Sequence, residues 1–91
     1  MTSTRTDLPT LTLVEVLDAA GADHSRGGIF PEAHSFMLAS AGAILYPSQA
    51  NSERMLDAAG EVSAKYGVTV DAMVRLHNRA LTRCNDMEWE R

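Results

Sequence analysis

The stretch from Glu61 to Arg83 limits what this chain can fold into more than any other. Val70, Met73, Val74, Leu76, His77, Ala80, Leu81, Cys84 and Met87 fall on one side at ~100° per residue. Asp71, Arg75, Asn78, Arg79, Thr82, Arg83 and Asp86 fall on the other. That pattern describes an amphipathic helix of about five turns, docked on one face and wet on the other. Thr69 can cap its start, and Asp71 in the first turn suits the positive end of the helix dipole. Gly67 can take the left-handed conformation that closes a preceding helix. The stretch therefore reads as helix, tight turn, helix.

The remaining breaks are equally local. Thr12-Leu-Val-Glu15 is a capping box, with Leu11 and Val16 placed as its hydrophobic staple. It starts a short helix whose buried stripe is Leu13, Val16, Leu17 and Ala20, and which Gly21 ends. Ala22 to Phe30 is a connector. Gly27-Gly28 is its most flexible point, and with Arg26 beside it the loop could meet a phosphate, but the spacing matches no phosphate-binding fingerprint. Pro31 suits the first turn of a second helix. With Phe36, Met37, Leu38, Ala41, Ile44 and Leu45, that helix is apolar nearly all round. Such a helix belongs at the centre of a fold or along a subunit interface. Glu32 and His34 on its first turn read as a solvated cap. Tyr46-Pro47-Ser48 ends it and caps a third helix. That helix has Met55, Ala59, Val62 and Tyr66 on one face and Gly60 as a point where it can split or kink.

The expected fold is all-α: a small four-helix domain containing a helix-turn-helix-like hairpin, with helices near 13–21, 31–45, 49–66 and 69–88. Residues 1–9 read as a flexible tail and 10–91 as a single helical domain. Ninety-one residues bury only about 60–65% of their unfolded surface, so such a chain gains from oligomerising, and a homodimer or a tight hetero-complex is expected.

Charge and cysteine content narrow the function classes. The net charge is −4, which argues against wholesale nucleic-acid coating. The balance is uneven. Residues 1–60 hold three Arg against seven acids, while 61–84 hold Lys65, Arg75, Arg79 and Arg83 against Glu61 and Asp71. Cys84 is the only cysteine, so no intrachain disulfide and no Cys-based zinc site can form. It reads as a small buried hydrophobe, and His77 as a core or interface histidine without the further ligands a metal needs. No catalytic residues and no cofactor are expected: the sequence carries no nucleophile–base arrangement with a recognisable context and no cofactor loop. Trp89 reads as an anchor against the body or a partner. No run approaches the ~18 apolar residues of a membrane span, and no basic region with a following apolar run opens the sequence. A cytoplasmic protein is expected.

The hairpin resembles the helix-turn-helix of bacterial and phage repressors such as the lactose repressor family. Val62 stands at the first core position and Ser63 at the small-residue position. Tyr66, Gly67 and Val68 form the turn, and Met73 and Leu76 are the core residues of the second helix. Arg75, Asn78 and Ala80 also match residues common there. The resemblance covers about a quarter of the chain. It implies a small, dimeric transcriptional regulator that binds duplex DNA with the helix at 69–84. Arg75, Asn78, Arg79 and Arg83 would make the contacts, with Thr69 at the helix start on a phosphate. Val70, Asp71 and Val74 depart from what such a helix presents to phosphates, and the motif follows about sixty residues instead of opening the chain. Val62 to Asn78 also resembles the core of a LysM module, without the flanking strands that module needs. The other function open to such a chain is non-enzymatic: a helical protein–protein interaction or structural assembly protein, an accessory subunit or phage-type protein. Its partner is then a protein or a second copy.

Overall fold

A computed structural model describes residues 10–89, with side chains described as far as Cys84. Four helices follow one another: α1 (Leu13–Ala19), α2 (Pro31–Leu45), α3 (Gln49–Tyr66) and α4 (Val70–Trp89). No strand occurs among the described residues. The fold is all-α, as the sequence pattern predicts. The tail at 1–9 lies outside the described residues, and so does the side chain of Trp89.

Each helix end has a chemical cause. At α1 the capping box closes in both directions. Glu15 N–H donates to Thr12 Oγ1 at 3.2 Å, and Thr12 N–H donates to Glu15 Oε1 at 2.9 Å. Leu11 and Val16, the expected staple pair, are both buried. The helix stops at Ala19, two residues short of the expected end, because Ala20 already serves as C-cap and Gly21 turns left-handed at φ +70°. Pro31 opens α2, with no side-chain cap at Phe30.

Asn51 ties the end of α2 to the start of α3. Its Nδ2 donates to the Tyr46 carbonyl at 2.7 Å and the Gly42 carbonyl at 3.4 Å. Its backbone N–H donates to the N-cap hydroxyl of Ser48 at 3.0 Å. One residue thus satisfies groups left open at both helix ends. α3 runs as one helix through Gly60, which does not split it. It ends at Gly67, left-handed at φ +80°, whose N–H donates to the Ser63 carbonyl at 2.9 Å. Thr69 Oγ1 accepts from Ala72 N–H at 3.1 Å, so the cap is as expected and α4 begins one residue later, at Val70.

α2 touches all three other helices, and α3 most extensively. α4 touches all three others as well, so the two share the centre of the fold, and the outer third of α2 stays exposed. The core joins Val16 and Leu17 of α1, Phe36 and Ile44 of α2, Met55 and Val62 of α3, and Met73 and Leu76 of α4. Phe36, Met73, Val16 and Val62 are the largest fully buried apolar side chains. Burying each such side chain contributes about 1.5–3 kcal/mol, so α1 is held by packing despite being too short to be stable alone.

Candidate functional site

Two surfaces carry the sequence's functional expectations. The first is the polar ridge of α4. Thr69 is engaged as the α4 cap. Arg75 pairs with Asp71 one turn earlier, Nη2 to Oδ2 at 2.7 Å, with both side chains mostly exposed. Arg83 reaches across to α1, where its Nη1 and Nη2 donate to Glu15 Oε2 and Oε1 at 3.0 and 3.4 Å. The Arg83 guanidinium holds the Glu15 carboxyl below the usual carboxylate range, helped by the Thr12 backbone donor and opposed by partial burial. Asn78 and Arg79 are exposed, and neither bonds to another described side chain. The ridge that spacing alone assigns to Arg75, Arg79 and Arg83 is therefore divided. One arginine is offset on its own helix, one is tied to α1, and one faces solvent. Val74 is half-buried and Val70 exposed.

Beneath α4 lies the one buried polar pair among the described residues. Ser40 of α2 has no exposed surface, and His77 of α4 is buried. Ser40 Oγ and His77 Nδ1 are 2.7 Å apart. Burial pushes the His77 imidazole below the ordinary histidine range, so the ring is neutral near pH 7. A serine hydroxyl against an imidazole is the geometry of an activated nucleophile. With Ser40 fully enclosed, no substrate carbonyl can approach its Oγ in this conformation. The pair joins α2 to α4. No group of three metal-ligating side chains occurs among the described residues. No helix among them is long and apolar enough to cross a membrane.

The second surface is the outer face of α2. Pro31, Ser35, Leu38, Gly42 and Leu45 are spaced four, three, four and three residues apart. That is the heptad spacing that keeps side chains along one stripe of a helix. The stripe lies opposite the buried residues Ala33, Phe36, Ser40, Ala43 and Ile44. Leu38 and Leu45 are 56% and 52% exposed, and Tyr46, just past the helix end, is 72% exposed. Between this stripe and the start of α3 runs an open groove of ≈ 330 Å³, lined by Ser35, Leu38, Ala39, Gly42, Asn51 and Arg54. The exposed face carries no ionised side chain. His34 is exposed, as expected of a solvated residue, but Glu32 is not: its Oε1 is buried without a hydrogen-bond partner among the described residues. Its charge lies close enough to Tyr66 to add to the burial that raises the phenol pKa. The other exposed apolar side chains include Val14, Ile29 and Leu56. Isolated apolar exposure of that kind is ordinary for a folded chain.

Sequence reasoning named α2 as central or interfacial without choosing its outward third. The four-three spacing of Ser35, Leu38, Gly42 and Leu45 was the available signal. Glu15 as the partner of Arg83, 68 positions away, left no such trace. No protein-family model, no curated protein and no solved structure matches the chain.

Proposed function

We propose that this chain is a non-enzymatic helical interaction module that works by burying the outer face of α2 against a protein surface. One observation carries the reading: the stripe through Ser35, Leu38, Gly42 and Leu45 is uncharged and periodic, with Ser35, Leu38 and Leu45 exposed and Gly42 half-buried among them. Leucines half-exposed at regular intervals on a rigid helix are what helix-on-helix recognition uses. A contiguous apolar stripe beside a groove also differs from scattered exposure, which needs no partner.

The test places a photo-crosslinking residue at position 38, and as control at exposed Asp57, in cells that make the protein. An adduct formed from position 38 and not from position 57 is expected. No adduct from position 38 overturns the reading.

Duplex-DNA binding by a small transcriptional regulator is the second reading. It is favoured by the left-handed Gly67 turn, the Thr69 cap and the exposed Asn78 and Arg79 on α4. It ranks second because Asp71 and Glu15 offset two of the three arginines on which it depends.

A further inference from the structure

We propose that the partner of the α2 face is the same face of a second copy of this chain. The two α2 helices lie antiparallel across a twofold axis, with Leu38 of each copy seated over Gly42 of the other. This rests on the reading of that face as a contact surface.

A twofold interface must be complementary to itself. The α2 stripe meets that condition residue by residue. In heptad terms Ser35 and Gly42 hold one core position, and Leu38 and Leu45 the other. Antiparallel pairing about a point level with Ser40 sets Leu38 against Gly42 and Leu45 against Ser35, so every large side chain meets a small one. Parallel pairing would set Gly42 against Gly42 and leucine against leucine, leaving a void in one layer and crowding the next. The vacancy is present: a Cβ built on Gly42 would meet nothing within 4 Å, and the space beyond it is the groove bounded by Ala39, Asn51 and Arg54.

Charge selects the same occupant. Two copies of a chain with net charge −4 repel, and they approach most easily where neither presents a carboxylate. Pro31, His34, Ser35, Leu38, Gly42, Leu45 and Tyr46 supply that surface, which offers a basic peptide no carboxylate, and Arg54 on the α3 side is the one ionised residue lining the groove beside it. Area then fixes the seating. A 15-residue helix is about 22 Å long, and its outer third gives roughly 240–280 Å² per copy. Two such strips fall short of the ~1,200 Å² of a small specific interface. A partner helix set into the groove, against both α2 and the Asn51–Arg54 side of α3, about doubles the contact and brings it close to that bound, in the range of weak, transient interfaces. A reversible, micromolar-range dimer is therefore expected.

The test is sedimentation of the purified full chain from about 1 to about 100 µM, with dilute thermal melts to confirm that each variant is folded. The wild type is expected to show a monomer–dimer equilibrium. Leu38→Ala should weaken it about a hundredfold, since each of the two copies loses a contact worth about tenfold. Gly42→Leu adds apolar surface and a better helix former, yet it should abolish the dimer by filling the vacancy. The combination L38A/G42L exchanges knob and hole and should recover association to within about tenfold of wild type. Stronger or unchanged association in Gly42→Leu overturns the proposal, as does failure of the combined variant to recover. A monomer at the highest concentration overturns it too. If position 38 then crosslinks in cells to a chain of different mass, the interaction reading stands and only the second copy fails; no adduct at all removes both.

Discussion

Ser40 and His77 offer the sharpest test of how α2 and α4 are held. Their 2.7 Å contact is the only side-chain hydrogen bond joining these two helices among the described residues. Ser40→Ala deletes a hydroxyl with no exposed surface and leaves His77 Nδ1 facing an apolar wall. An unmatched buried polar group costs about 1–3 kcal/mol. In a domain of this size that lowers the melting temperature by about 5–15 °C. Replacing both partners, as in S40A/H77L, removes the unmatched group and should cost less than Ser40→Ala and His77→Leu summed. Protonation is a separate perturbation. Burial depresses the His77 pKa in the folded protein below its unfolded value. The unfolded chain therefore binds more protons in that window. Stability is full above the unfolded pKa of about 6.5 and declines as pH falls from there to the folded value, by at most about 1.4 kcal/mol per pH unit. The imidazolium can donate Nδ1–H to Ser40 Oγ, so the hydrogen bond survives protonation, and desolvation causes the loss. The slope should accordingly persist in Ser40→Ala and vanish in His77→Leu. Urea unfolding of dilute protein across about pH 7.5 to 5 reads both quantities. A Ser40→Ala loss under about 0.5 kcal/mol, or an unchanged acid slope in His77→Leu, would refute the reasoning.

Two further perturbations probe the ends of the bundle. Gly67→Ala places a Cβ at φ +80°, where nothing nearby clashes but the left-handed backbone disfavours it. About 1 kcal/mol of stability should be lost by urea unfolding, and a neutral result would mean the α3–α4 turn has another conformation in solution. Arg83→Ala removes the α1–α4 ion pair, whose half-exposed side chains limit its worth to about 1 kcal/mol or less. Because Glu15 has a depressed pKa, chiefly through Arg83, this contribution is present above the ordinary carboxylate pKa and fades as pH falls through the depressed one. The variant's stability deficit should therefore shrink in acid, and a deficit constant from about pH 7 to 2 would remove the pair as its cause.

The elements were legible in the sequence because their ends are set by near neighbours. The Thr12–Glu15 box, Pro31, the Ser48 cap, Gly67 and Thr69 act over three or four positions, and each helix begins and ends within two residues of expectation. Most of the core followed from the same period: Met73, Leu76, His77 and Ala80 are buried on α4 as their spacing requires, while Val70 and Leu81, expected on the same docked face, are exposed. What escaped was any choice decided between helices. α2 is apolar nearly all round, so periodicity could not say which third faces outward. Asn51 looks like an ordinary polar residue of a first turn, and its bond to the Tyr46 carbonyl depends on how α3 returns beside α2.

The arginine ridge shows why this matters for function. Spacing by four puts Arg75, Arg79 and Arg83 on one line of α4 but does not reveal what stands across from each. Asp71 is one turn away on the same helix and Glu15 lies at the far end of the chain. Once both are in place, Arg79 is the one ridge arginine without a carboxylate among the described side chains. A single phosphate contact gives a salt slope of about one, so duplex binding through this ridge would weaken only about fourfold between roughly 50 and 200 mM salt. Binding that weak in its electrostatic part would need strong base-edge contacts, and besides the arginines only Asn78, with its bidentate amide, and the shorter Thr82 are suited to them on the described polar face. The apolar stripe of α2 has the opposite signature. Its association rests on area removed from water, which added salt leaves intact or strengthens. A steep fall in duplex affinity with salt would mean that Arg75 and Arg83 leave their carboxylates when DNA arrives, and would return α4 to the position its sequence first gave it.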